Sequence, residues 1–280
     1  MICLTGDLHH RSLDTGSQRQ CDLTEIQIAR RYLAMLEEAR VKVTFFISGK
    51  AFDEEWDNLK PICDHPLVEV GGHTYYCFEP SLWHRAWKKI NGSYNGPAWY
   101  QRWDVLKTMR IIEARCGQRI VSWRNHMYMH GPFTESVLAS CGLEICSDGV
   151  SRHSSGPAPH PSGVFNFPLN VMPDHEHLYH AERTPEWVAR WVRRYNWSDD
   201  YGSDSYYIEE WTERVLAELN DHEEGGLLSN MIVHPIVMHL CDRFKSFERL
   251  LAYISTRETI HVRDARRGSS AQREGEEVSP

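Results

Sequence analysis

Residues 41–49 read Val41-Lys42-Val43-Thr44-Phe45-Phe46-Ile47-Ser48-Gly49. β-Branched and aromatic residues dominate the run, which is strand composition, and Gly49 opens a helical stretch that ends near Pro61. Upstream, Thr24 to Arg40 places Ile26, Ile28, Ala29, Tyr32, Leu33 and Leu36 on or near one face of a helix, with Asp22 and Thr24 both suited to cap it. Residues 2–6 are a short apolar strand. Strand and helix therefore alternate from the first residues.

The alternation continues downstream. Leu67 to Val70 is a third strand, followed by an irregular stretch, a helix over Trp99 to Cys116, a strand over Gln118 to Trp123, a helix over Pro132 to Cys141 and a strand over Leu143 to Cys146. Val164 to Val171 is extended, Thr184 to Tyr195 and Tyr206 to Asn220 are helical, Met231 to Val233 is a strand and Phe244 to Ile254 a helix. Roughly seven βα units without a boundary predict one α/β domain over residues 1–262, a parallel barrel in preference to a doubly wound sheet. The polar residues 263–280 read as a disordered tail.

Composition narrows the function classes. Apolar residues at 41% and charged residues at 25% can build a core, and no window approaches the apolar length of a membrane span. A net charge of −8 argues against general affinity for nucleic acid or anionic lipid. Eight cysteines without paired spacing, and no leader ahead of residues 2–6, predict a reducing, cytoplasmic setting. The sixteen histidines are several times ordinary usage.

In a βα barrel, chemistry gathers at the C-terminal ends of the strands. Here those ends carry Asp7-Leu8-His9-His10, His73 after Gly71-Gly72, Arg124-Asn125-His126, Ser147-Asp148, Asp174-His175-Glu176-His177 and His234-Pro235. Jointly they suggest a metal-dependent hydrolytic site. In an extended chain Asp7 and His9 point one way and Leu8 and His10 the other, so a carboxylate and an imidazole can converge on one divalent ion. Taken singly, Asp7 also reads as a turn cap, His10 as a surface residue and His73 as a satisfied half-buried histidine. His175 and His177 flank Glu176 and read either as cleft residues, a second metal pair, or incidental loop histidines. His126, His130 and His180 carry no assigned role.

These segments resemble the polysaccharide deacetylase (NodB-homology) family. Leu4-Thr5-Gly6-Asp7 is similar to its opening motif, Thr44-Phe45-Phe46 to its second strand, His73-Thr74-Tyr75-Tyr76-Cys77 to its histidine motif, Trp123-Arg124 to its arginine motif and Val233-His234-Pro235 to its final histidine motif. The order holds across the chain, although no single motif is intact. The resemblance implies a distorted (β/α)7-type, NodB-like barrel and metal-dependent removal of an N-acyl group, acetyl or formyl, from an amino sugar or similar small amide. It implies Asp7 as general base, Arg124 as the arginine that orients it, His234 as general acid and His73 as a metal ligand. The family's second aspartate falls on Leu8, so His9 stands in as ligand, with His10 the fallback; Asp7 is carried as a third ligand. The family's second histidine falls on Cys77, either a thiolate ligand or a buried apolar residue.

The expected catalytic set is thus Asp7, Arg124 and His234, and the expected metal set Asp7, His9 and His73, with zinc favoured by imidazole ligands. The expected partner is a small-molecule or oligosaccharide substrate, with no nucleic acid and no membrane; the oligomeric state is open, a homo-oligomer included. Aromatic residues Trp83, Trp87, Tyr94, Trp99 and Tyr100 suit stacking against sugar rings, whereas Trp187, Trp191 and Trp211 suit packing. Two other readings stand beside the deacetylase: an amidohydrolase on a non-sugar amide or ureide, and a metal-free binding protein on a decayed barrel.

Overall fold

A computed structural model describes residues 1–178 and 183–266. The first strand, β1 (Ile2–Leu8), leads through a short helix α1 (Gly16–Arg19) to α2 (Glu25–Ala39), followed by β2 (Val43–Ser48), α3 (Gly49–Glu54), α4 (Trp56–Cys63) and β3 (Val68–His73). Then come α5 (Ser81–Asn91), α6 (Ala98–Cys116), β4 (Ser122–Arg124), α7 (Thr134–Ser140), β5 (Ile145–Cys146), β6 (Ala158–Pro159) and β7 (Phe165–Asn166). The chain closes with α8 (Asp174–His177), α9 (Pro185–Tyr195), α10 (Ile208–Glu224), β8 (Ser229–Ile232), α11 (Pro235–Asp242) and α12 (Lys245–Ile254).

The strands pair in the order β6-β7-β5-β4-β3-β2-β1-β8, parallel throughout except for the β6–β7 hairpin. Every residue of β1, β2 and β3 is buried, because these central strands have neighbours on both edges and packed side chains on both faces. The sheet curls into a distorted barrel of the NodB type, but its last seam is not a ladder. Asn170 and Asn230 close it: Asn170 N–H donates to the Asn230 carbonyl at 3.1 Å, Asn230 N–H donates to Asn170 Oδ1 at 2.7 Å, and Asn230 Nδ2 donates to the Phe167 carbonyl at 2.8 Å. Side-chain amides here do the work of missing backbone pairs.

Thr24 caps α2, accepting from Gln27 N–H while Gln27 reaches back to Thr24 N–H. The apolar face read from the sequence is buried, and so is Glu25 at its first turn. The extended segments read over 118–123 and 164–171 shorten to β4 and β7. The irregular stretch after β3 contains α5, whose one buried residue is His84, while Leu82, Trp83 and Ile90 are exposed. Leu82, Trp83, Ala86, Trp87 and Ile90 do recur at helical spacing, so the expectation of an irregular stretch bearing aromatic residues is corrected here. Of the polar tail, residues 263–266 follow the barrel, with Arg263 N–H donating to Glu69 and Arg266 paired to Glu144 at 2.8 Å. Residues 267–280 lie outside the described residues. Among those described, no helix is long and apolar enough to cross a membrane.

Gly71 and Gly72 let β3 seat against its neighbours. A Cβ on Gly71 would stand 2.6 Å from the Phe46 ring, and one on Gly72 would stand 2.4 Å from the Trp123 ring. Both rings are fully buried, so neither can swing aside. Gly72→Ala is therefore expected to destabilise the protein by about 1–3 kcal/mol through overpacking, read as a lowered midpoint in urea unfolding; an unchanged midpoint would show that this seam has slack.

Candidate metal and hydrolytic centre

Four side chains converge above the C-terminal ends of β1, β3 and β4. Ligand atoms from His9, His73, Cys77 and His126 all lie within 4.8 Å of one another. His126 Nδ1 is 3.1 Å from His9 Nε2 and 3.4 Å from His73 Nε2. A tetrahedral zinc with nitrogen bonds of about 2.0–2.1 Å has edges of roughly 3.3 Å, so these separations are those of one ion's donor shell. One proton on His126 Nδ1 can serve only one of its two neighbours, which leaves unshared lone pairs facing each other in a buried space. Burial, and then the neighbouring His9, push His73 and His126 well below the ordinary histidine range, so both are held neutral, the form that coordinates metal. Three imidazoles and a thiol are soft donors suited to a transition ion.

Each donor is aimed by its surroundings. Glu25, buried on the first turn of α2, accepts from both His9 N–H and His9 Nδ1 at 3.0 Å, which turns His9 Nε2 toward the cluster. Gln18 Nε2 holds the other Glu25 oxygen at 3.0 Å. His126 rides a loop pinned by Asp148, whose carboxylate takes Asn125 N–H and Asn125 Nδ2, each at 2.6 Å. Met127 and Tyr128 then turn through left-handed backbone (φ 60° and 53°), and Cys77 and Phe78 do the same after β3 (φ 50° and 62°). The first turn follows His126, which stands two residues beyond the end of β4, and the second contains Cys77, four residues beyond His73 at the end of β3.

Beside the cluster lies a cleft of about 300 Å³ lined by Asp7, His9, Glu25, His126, Tyr128, His175, Glu176, Trp191 and His234 among others. Asp7 Oδ1 accepts from Arg124 Nη1 at 3.1 Å; the same nitrogen reaches Thr5 Oγ1 at 2.9 Å, and Arg124 Nε and Nη2 bond the Ser147 carbonyl and hydroxyl at 3.0 and 2.8 Å. Across the cleft, His234 Nδ1 and N–H both donate to Asp174, each at 2.7 Å. Burial works against charge on His234, but Asp174, with Asp7 and Glu176 behind it, outweighs burial and raises it to about 9. Burial and the acidic neighbours Asp174 and Asp199 push Glu176 up to about 8. At neutral pH the cleft thus offers a carboxylate held by a guanidinium and, facing it, a protonated imidazole.

The polysaccharide deacetylase family model matches residues 14–145. Over that part, just under half of its length, the chain is similar to the polysaccharide deacetylases. Its fold is shared with a protein described as a polysaccharide deacetylase from Mycobacterium smegmatis, at 16% identity and a TM-score of 0.68 over 97% of this chain and 91% of that one. A protein described likewise from Pseudomonas aeruginosa PAO1 is 14% identical, with a TM-score of 0.62 over 95% and 90% of the two chains. Puue allantoinase is 15% identical, with a TM-score of 0.62 over 96% and 90%. No protein of curated function matches the sequence. The polysaccharide deacetylases hydrolyse carbon–nitrogen bonds with a metal, and the His/Cys cluster here is suited to hold one.

Relative to that family's pattern, the structure redistributes the roles expected from sequence. His9 and His73 stand in the cluster. Asp7 stands outside it, its carboxylate engaged by Arg124, and the remaining donors are Cys77 and His126. His10 is not one of the four: its N–H donates to Ser48 Oγ at 2.9 Å and its Nδ1 lies 4.0 Å from Cys77 Sγ. His175 lines the cleft, whereas His177 turns away to Asp199 at 3.4 Å and the Asp204 carbonyl, because Asp174–His177 form a helical turn and not the alternating triplet expected. His130 pairs with Glu135, and His180 lies outside the described residues. Sequence reasoning left His126, Asp174 and Glu25 without roles. The signal for Glu25 was a carboxylate amid the apolar face of α2; for Asp174 and His126 it was only their position after a strand.

Because Glu25 fixes the orientation of His9, Glu25→Ala is expected to weaken transition-metal affinity by roughly 10–100-fold. Competition against a chromophoric chelator measures this; wild-type affinity in the variant would mean that Glu25 does not act through His9.

Proposed function

We propose that this protein is a metal-dependent hydrolase that removes an N-acyl group, acetyl or formyl, from an amino sugar or similar small amide. The observation that carries the reading is that Asp7, held by Arg124, and His234, held by Asp174, line the same cleft as the cluster histidines His9 and His126. His9, His73, Cys77 and His126 would hold the ion, and their donor set favours zinc. Bound there, a divalent ion supplies Lewis-acid polarisation of the acyl carbonyl and acidifies a water.

The chain's own residues do the rest. Arg124 holds Asp7 in place through its hydrogen bond, and Asp7 accepts the proton of the attacking water. Asp174 accepts from His234 Nδ1 and favours the imidazolium, whose Nε2–H delivers a proton to the departing nitrogen so that it leaves as a neutral amine. Glu176, protonated up to about pH 8, is a donor at the cleft wall and does not compete with Asp7 for the water's proton. The eight free cysteines support a reducing, cytoplasmic setting for this chemistry.

Three outcomes test the reading. Protein loaded with zinc should release acetate or formate from short N-acyl amines, and His234→Ala should lower kcat by about 10²–10⁴-fold; a change of only a few-fold removes His234 from its role. The rate should fall as pH rises through about 9, where His234 loses its proton. Asp174→Asn removes the carboxylate but leaves the burial, so the alkaline limb should move to lower pH, and an unmoved limb would assign it to another group. Turnover of cyclic amides or ureides in place of N-acyl amines would favour the amidohydrolase reading, and failure to take up zinc, cobalt or manganese would favour a metal-free binding protein.

A further inference from the structure

A second hollow, of about 730 Å³, opens from the catalytic cleft and shares Thr15, Gly16, Ser17, His175, Glu176 and Trp191 with it. Its walls change character away from the shared residues. On one side α9 supplies Trp187, stacked on Trp191 at 4.7 Å with rings inclined by 19°. On the other side α11 supplies Val237, Leu240 and Cys241. Those three follow His234, the residue that caps α11, at spacings that keep them on one helical face, so the groove runs along the helix from the imidazole outward. Polar groups, from Thr15, Ser17 and Gln20, sit on the α1 edge and not on the α11 wall.

We propose that this groove is a subsite for an apolar substituent on the leaving nitrogen, so that the substrate class is an N-acylated alkyl or arylalkyl amine. The inference rests on the hydrolase reading for the direction of the substrate: His234 protonates the nitrogen, and whatever that nitrogen carries continues along α11. A sugar ring in the same place would press hydroxyls against Val237, Leu240 and Cys241, which offer side chains that do not replace the lost water. An alkyl chain or flat ring loses nothing there and gains the faces of Trp187 and Trp191.

The test compares kcat/KM for N-acetylhexylamine, N-hexanoylmethylamine and N-acetylglucosamine with zinc-loaded protein, and measures hexylamine binding by calorimetry in wild type, Leu240→Glu and Trp187→Ala. N-Acetylhexylamine should be preferred over both others by about tenfold or more, a single methylene in an apolar pocket already being worth roughly that much. Leu240→Glu, at a half-buried site on α11, should cut that preference and weaken hexylamine binding by a similar factor, with unchanged metal content and unfolding midpoint reporting an intact fold. Preference for N-hexanoylmethylamine, or for the sugar, would overturn the assignment, as would hexylamine binding that neither variant weakens. If no amide is turned over while hexylamine still binds and both variants weaken it, the hydrolase reading fails and the apolar subsite stands.

Discussion

Arg124 is a full positive charge with no solvent exposure, and the barrel is organised around its satisfaction. Its guanidinium bonds Thr5 and Asp7 on β1 and Ser147 after β5, and lies 4.3 Å over the Phe46 ring on β2. A buried charge left without its partner costs about 3–5 kcal/mol, so these contacts must all form for the interior to close. Ser147 Oγ in turn accepts from Asn230, which shares the last seam with Asn170, so the charged interior and the closure of the barrel belong to one hydrogen-bonded network. Asp7 is held in place by that network, its Oδ1 accepting from Arg124 at the edge of the cleft.

The second constraint is electrostatic crowding among imidazoles. His9, His73 and His126 pack ring against ring, with centroids 4.9 to 5.6 Å apart, in a place where three protonated rings could not coexist. A divalent ion bound there would resolve that conflict by replacing protons with one shared charge, and the cluster is braced from beneath: Glu25 under His9, and Asp148 with Asn125 under the His126 loop. His234 is treated in the opposite way: it is given a carboxylate of its own and stays charged at neutral pH, within the cleft that His9 and His126 also line. The same residue type is used in two protonation states, and its neighbours decide which.

Much of this was legible before any coordinates. The strand composition of 41–49 and the alternation around it favoured a parallel α/β barrel over a doubly wound sheet, and the resemblance of the motifs implied its closure. The two-residue period of an extended chain separated Asp7 and His9 from Leu8 and His10, and the structure puts Asp7 and His9 on the cleft while Leu8 is in the core and His10 turns to Ser48. His126 was harder because only its position after β4 marked it, and Cys77 because it sits in a left-handed turn with Phe78 that nothing in those side chains announces. Helix α5 was legible in the helical spacing of Leu82, Trp83, Ala86, Trp87 and Ile90; what the sequence could not show is that the helix leaves Leu82, Trp83 and Ile90 exposed and buries only His84.

By itself the sequence determined the order of strands and helices, the ends at which polar residues gather, and the side of β1 on which Asp7 and His9 lie, since these follow from local composition and from the period of the chain. The tertiary structure alone decided which donors share a point in space, that Asp174 rather than a neighbour in the chain holds His234, and that α9 and α11 leave an apolar groove between them. Those relations join residues far apart in the chain, His9 to His126 and Asp174 to His234 among them, and are set by where packed strands and strained loops place their ends, a quantity that no local pattern contains.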